Sequence, residues 1–268
     1  MIKDTKGIVI QMEKIQYEEL KEQQNTFWWF AGKREIVTDF AESFAGLKKG
    51  ADVKILDVGC GMGLMLERLS HFGTVFGMDT EESAVEYCTS MCSEQGIESY
   101  IYKGSLPDEV PFEPNFFDFI FALDVIEHVD DDCAALSALN SLLKENGKLI
   151  LTVPADMSLW SFNDELNHHF RRYDRQELID KVICAGLHTI KCSYYNSILY
   201  PAVWAVRHFK NVFHIYSSDV NTVNCFNSIL KTLFISEKYR LRGKGFKHGV
   251  SLILVCEKAP VIDDSTAF

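Results

Sequence analysis

Three glycines at alternate positions, Gly59, Gly61 and Gly63, follow the apolar run Lys54-Ile55-Leu56-Asp57-Val58 and precede the helical pattern Leu64 to His71. Glycine lets the chain turn tightly and approach a ligand with no Cβ in the way. The helix behind the loop adds free N–H groups and positive potential at its start. About twenty residues on, Asp79 closes the next apolar run, Thr74 to Met78. A carboxylate at that place accepts hydrogen bonds from ribose hydroxyls, although an acid ahead of Thr80-Glu81-Glu82 also suits a helix start. Farther along, His128, His168 and His169 carry the side chain that titrates nearest neutrality and suits proton transfer. Arg171 and Arg172 can fork onto a carboxylate or phosphate of a ligand, or pair with Asp164 or Glu165. We expect one arginine in each role.

Two nucleoside ligands fit such a loop, a dinucleotide and S-adenosylmethionine. The dinucleotide fingerprint wants Gly or Ala at the sixth position from Gly59, and Leu64 stands there. The run Asp57-Val58-Gly59-Cys60-Gly61-Met62-Gly63 instead resembles the first motif of class I S-adenosylmethionine-dependent methyltransferases, acid-x-Gly-x-Gly-x-Gly. Leu123-Asp124-Val125-Ile126-Glu127-His128-Val129 resembles the post-strand motif of the ubiquinone-type and small-molecule members of that family. The resemblance covers about residues 51–155. It implies S-adenosylmethionine as methyl donor and S-adenosylhomocysteine as product. It places Asp57, Gly59, Cys60, Gly61, Gly63, Asp79, Ser105, Leu123 and Asp124 around the cofactor. One departure stands out: in Lys103-Gly104-Ser105-Leu106 a serine takes the place where the family often has an acid for the adenine amino group.

The segment Pro154 to Tyr173 is dense in Trp, Asp, His, Arg and Tyr and follows a strand end, so it is expected at the rim of the site. Its pattern of Trp-Ser, Asp and His-x-Arg-Arg-Tyr, with Phe27-Trp28-Trp29-Phe30-x-x-Lys33-Arg34 near the start, resembles a bacterial methyltransferase subgroup mostly of unassigned substrate. Methyl transfer is an in-line displacement with a good neutral leaving group, so a protein mainly positions the nucleophile and excludes water. His128, His168 and His169 are the expected bases for a hydroxyl acceptor, and shaping the pocket is the competing role of His128. Trp28, Trp160, Asp164, Arg171, Arg172 and Tyr173 are expected against the substrate. Trp28, with Trp29 and Phe30, either covers the ligands as a lid or packs a helix onto the core. No metal site is expected.

These residues need a frame. Strands are expected at Lys54–Val58, Thr74–Met78, Glu98–Lys103, Phe116–Leu123, Lys148–Val153, Leu187–Tyr194 and Gly249–Cys256, alternating with helices at Leu64–His71, Glu81–Gln95, Asp131–Lys144 and Arg175–Ala185. Apolar strands alternating with helices make an α/β, doubly wound, mostly parallel seven-stranded sheet, the Rossmann-like methyltransferase fold that the resemblance implies. Residues 1–50 are read as a helical N-terminal cap, with Met12 to Gln24 periodic, and 51–258 as the methyltransferase domain. About fifty residues before the last strand are too many for a bare loop. A helical insertion over about 197–248 is expected, with helices at Ser197–Phe213 and Cys225–Phe234, and 259–268 as a tail.

Composition bounds the partners. With 268 residues, 47% apolar, one large domain with additions can bury a core. A formal charge of −11 argues against broad nucleic-acid binding, which needs a basic face. The start Met1-Ile2-Lys3-Asp4-Thr5-Lys6 has no secretory pattern and no apolar run is long enough to span a bilayer. Eight scattered cysteines without a Cys-x-x-Cys pair read as reduced thiols of a cytoplasmic protein. The insertion is a lid, a homodimer face or a peripheral membrane contact, the last disfavoured by the overall charge. The expected function is methyl transfer to a small-molecule acceptor, at oxygen. An NAD(P)-dependent oxidoreductase and a non-catalytic cofactor-binding protein are the rivals.

Overall fold

The computed structural model describes residues 26–215 and 226–259. The expected helix at Met12–Gln24, Cys225 and the tail beyond residue 259 lie outside the described residues. Seven strands form one sheet: β1 Lys54–Val58, β2 Thr74–Asp79, β3 Ser99–Lys103, β4 Phe117–Leu123, β5 Leu143–Pro154, β6 Leu187–Tyr195 and β7 Ser251–Lys258. Their order is β3-β2-β1-β4-β5-β7-β6. β1 pairs in parallel with β2 and β4, whereas β7 runs antiparallel between β5 and β6. The chain reverses direction across the sheet at β1, between β2 and β4. In such sheets the crevice at the strand carboxyl ends there receives the ligand.

Helices cover both faces, and we number them α1 Trp28–Phe40, α2 Leu64–Leu69, α3 Glu82–Glu94, α4 Asp132–Leu142, α5 Phe162–Leu166, α6 Arg175–Cys184, α7 Tyr200–Val212 and α8 Asn227–Leu241. On one face Ile36, Val37 and Phe40 of α1, Leu66 and Leu69 of α2, and Cys88 and Met91 of α3 pack on Ile55, Phe121, Ile150 and Ile253. On the other, Leu136 and Leu139 of α4 and Leu178 and Val182 of α6 pack on Leu56, Ile120, Leu151 and Leu254. The described part of the N-terminal segment is therefore built into the main core.

Two boundaries differ from expectation for a physical reason. Helix α4 stops at Leu142, and β5 begins at Leu143, which pairs with Phe117 before the register shifts and Lys148 pairs with Phe119. Gly147 sits where a Cβ would lie 2.9 Å from Lys144 O and 3.1 Å from Phe117 O, so the strand, and not a helix end, sets the chain's path there. The segment between β5 and α6 contains the short helix α5, capped at both sides of a box by Ser161 and Asp164.

The cap and insertion meet through aromatic rings. Trp29 of α1 stacks on Phe234 of α8 at 5.1 Å and on Tyr195 at the end of β6 at 6.2 Å. The helices approach closely because Gly32 has no side chain; a Cβ there would overlap the Phe234 ring. Asp39 binds Arg242, with Arg242 Nε donating to Asp39 Oδ2 over 3.0 Å. Buried Glu237 of α8 accepts from Ser197 and Ile198 N–H, each at 2.7 Å, which fixes where the chain leaves β6.

Candidate active site

The glycine loop leaves β1 with all three glycines at positive φ: 68° at Gly59, 50° at Gly61 and 70° at Gly63. Non-glycine residues rarely adopt this region. Their surroundings differ. A Cβ on Gly63 would lie 2.5 Å from Met91 Cε, whereas one on Gly61 would meet only Gly59 O, at 4.0 Å. Gly63 thus closes the loop onto α3, and Gly61 faces open space.

Asp79, at the end of β2, ties this loop down. Its Oδ2 accepts from Gly61 N–H over 2.8 Å and its Oδ1 from Glu81 N–H over 3.1 Å. Each carboxylate oxygen keeps a second lone pair for a hydroxyl. Asp57 lies buried below the loop, and burial, followed by the charge of Asp79, pushes its carboxyl up to about 8. The Cys60 side chain turns into the core beside Gly77. A hydrogen bond with Cys88, then burial, raises its thiol pKa. Cys88 also donates to Gly61 O at 3.1 Å. Ser105 exchanges main-chain hydrogen bonds with Glu109, and its Oγ donates to Glu109 Oε2 over 3.4 Å. Glu109 therefore brings an acid next to the position where the family pattern has one.

The end of β4 brings in a residue 91 positions away. Lys33 of α1 donates to Asp124 Oδ2 over 2.6 Å, while Thr152 Oγ1 donates to Asp124 Oδ1 over 2.8 Å. Asp124 follows half-buried Leu123 at φ 59°, a strained conformation for a residue with a side chain. Burial raises its carboxyl pKa, but Lys33 and Thr152 outweigh this and leave it below the usual value. Three residues on, Glu127 is fully buried and neither carboxyl oxygen has a hydrogen-bond partner. Burial, then the charge of Asp124, holds it well above the ordinary value.

The histidines divide. The rings of His128 and His169 meet edge to face, centroids 4.7 Å apart. One ligand atom from each of Glu127, His128 and His169 lies within 4.8 Å of the others, a grouping able to hold a metal ion. His169 Nδ1 lies 3.0 Å from Asp164 Oδ1. His168 is exposed, at φ 56°. Partial burial, then His169, holds the His128 imidazole below its usual value.

Asp164, 1% exposed, is a hub. It accepts from Arg172 Nε over 2.8 Å and from Ser161 N–H over 2.9 Å, and Arg207 Nη1 of α7 lies 3.7 Å away. Burial raises its carboxyl, but His169 and Arg172 bring it down to about 2, so it is ionised at any working pH. An ionised carboxylate accepts, so Nδ1 of His169 carries the proton and Nε2 is left as the lone-pair nitrogen.

Several residues expected against the substrate are paired within the protein. Both arginines are turned to the protein: Arg172 is buried against Asp164 and Ala155 O, and Arg171 Nη1 lies 2.8 Å from Asp132. Tyr173 is fully buried with its hydroxyl donating to Asp132 over 2.9 Å. Asp164 is the partner of His169. Trp28 lies in the α1–α8 aromatic cluster, 5.5 Å from Phe234, and its main-chain N–H donates to Asn227 Oδ1. Buried charges need partners, and internal ones were at hand. Trp160 stays half-buried on the rim, its carbonyl accepting from Asn211. Glu127, Lys33 and Thr152 received no site role from sequence. Glu127 adjoins His128 in the post-strand motif, and Lys33 stands in the aromatic N-terminal pattern, but the pairings of Lys33 and Thr152 with Asp124 join distant elements.

The residues present fit S-adenosylmethionine. Asp79 keeps lone pairs for the ligand's hydroxyls beside the loop, and Gly61 leaves room for close approach.

Residues 56–151 match the family described as "Methyltransferase domain". A ubiquinone biosynthesis O-methyltransferase of Xanthomonas euvesicatoria pv. vesicatoria is 34% identical over 103 residues, 38% of this chain and 43% of that protein. The chain spans about half the length of the curated relatives it matches. A solved structure of the [4+2]-cyclase SpnF superposes with a TM-score of 0.62 at 16% identity, covering 94% of this chain and 95% of that one. A putative sarcosine dimethylglycine methyltransferase from Galdieria sulphuraria gives 0.57 at 18% identity, covering 84% of each. Residues 56–151 thus match the methyltransferase-domain family, and the chain has the Rossmann-like fold of the solved structures on which it superposes.

Proposed function

We propose that the protein methylates an oxygen of a small-molecule acceptor, with His169 as the base. The observation that carries this is the Asp164–His169–His128 grouping, in which His128 stands in the turn after β4, three residues past Val125, the neighbour of Gly59. Bound S-adenosylmethionine supplies an electrophilic methyl group on a sulfonium and leaves as neutral S-adenosylhomocysteine. The protein's part is to bind, orient and accept a proton. Gly59, Gly61 and Gly63 let the main chain approach the cofactor, and Asp79 takes the ribose hydroxyls on its remaining lone pairs. His169 Nε2 takes the acceptor's hydroxyl proton, and Asp164 stabilises the imidazolium that results. His128, neutral at pH 7, lines the same space.

In this reading residues 1–50 form an N-terminal cap and 51–258 the catalytic domain, which carries the insertion over about 197–248. The acidic charge supports a small molecule over nucleic acid as acceptor. Among the described residues no helix is long and apolar enough to cross a membrane. The seven described cysteines are unbridged, which supports a reducing, cytoplasmic setting. An oxidoreductase is disfavoured by Leu64 and by the methyltransferase relatives.

The test uses methyl-labelled S-adenosylmethionine with extracted small molecules, product identification by mass, and S-adenosylhomocysteine formation as the rate. His169→Ala is expected to lower the rate about 10²–10⁴-fold, the usual worth of a positioned base, with S-adenosylhomocysteine affinity unchanged. His168→Ala should stay near wild type. Equal effects of the two would remove His169 from the role.

A further inference from the structure

Helix α7 has thirteen residues and not one is buried. Trp204, Val206, Phe209, Val212 and Phe213 along and just past it are all exposed, Phe209 by 56%, and Phe226 and Ile229 at the start of α8 are exposed as well. A groove of about 390 Å³ beside the helix is lined by Ala205, Val206, Phe209, Lys210 and Ile215. Scattered exposed apolar residues are ordinary, but this concentration on one short segment marks an interaction surface.

The charge is as uneven as the hydrophobicity. Residues 197–248 hold eight Lys or Arg against two acids, in a chain that holds 27 against 38. The insertion is therefore strongly basic and the rest of the chain strongly acidic. The overall charge, which counts against membranes, hides a segment that favours them. A second copy docking through the same face would bring two basic surfaces together and be opposed by their repulsion. An anionic lipid surface attracts the basic segment, repels the acidic remainder and so also sets the orientation.

We propose that the α7 insertion docks on an anionic membrane surface, with Phe209 and Phe213 entering the interface and the basic residues of the segment facing lipid headgroups, apart from Arg207, Arg240 and Arg242, which bond within the protein. A helix with an exposed apolar and aromatic face in a basic segment lies in the interfacial plane in this way. Docking would reach the active site through Arg207 of α7, which donates to Leu159 O over 2.9 Å and stands 3.7 Å from Asp164, the partner of His169.

The experiment is flotation of the whole chain with vesicles of phosphatidylcholine alone, or mixed with phosphatidylglycerol, at about 0.1 M and roughly 0.5 M salt. Sedimentation of the free protein runs in parallel. Binding is expected to be at least ~10-fold stronger to the anionic vesicles and to weaken with salt. Replacing Phe209→Asp and Phe213→Asp together should weaken it at least ~10-fold at unchanged melting temperature, since both side chains are exposed. Absence of binding to anionic vesicles overturns the proposal. So does a dimer in the free protein that the same two substitutions dissociate, because the face then belongs to a second copy. Neither result depends on whether the protein transfers methyl groups.

Discussion

Asp57 shows how single side chains couple to ligand binding. Its buried carboxyl titrates at about 8 against 3.8 for an ordinary aspartate. A group with a raised folded pKa holds its proton longer in the folded state than in the unfolded one. Stability therefore falls as pH rises from about 4 to about 8. A cation placed beside Asp57 lowers its pKa again, so S-adenosylmethionine should bind at pH 7 with release of a proton. Calorimetry in buffers of different ionisation enthalpy measures it directly. The release should shrink in Asp57→Asn, and uptake of a proton would contradict the assignment. Asp57, the glycines and Asp79 were legible in the sequence because they sit within some twenty residues and their geometry is local. The Lys33–Asp124 pair was not, since 91 residues separate its members. The fate of Arg171 and Arg172 was not either: the sequence offers both an internal and a ligand carboxylate, and only the folded packing shows Asp132 and Asp164 already in place.

Among elements, the strands were the most readable, because burial on both faces makes each a continuous apolar run. Their ends were less so. The helix before β5 was expected to run to Lys144, yet strand pairing from Leu143 takes the chain first, a tertiary effect that local pattern does not carry. The union of α1 with α8 is likewise invisible locally, although the need for Gly32 in a helix hints at a close contact. Gly32→Ala would push a methyl into the Phe234 ring. Overpacking of this kind is expected to destabilise by about 1–3 kcal/mol, read as a lower denaturant midpoint. An unchanged midpoint would mean that α1 and α8 separate readily.

For the whole molecule, the sheet order puts the glycine loop at the switch point at β1, the crevice that receives ligands in such sheets. The fold alone does not decide the chemistry, since a protein described as a [4+2]-cyclase shares it over nearly the full chain. The account stands on the cofactor loop. Its most direct test is calorimetric titration of the whole chain, and of a folded Gly63→Ala variant, with S-adenosylhomocysteine and with NAD. We predict that the wild type binds S-adenosylhomocysteine and not NAD, and that Gly63→Ala, strained at φ 70° and crowded by Met91, loses at least ~30-fold in affinity. Binding of NAD without S-adenosylhomocysteine, or wild-type affinity in the folded variant, would contradict it.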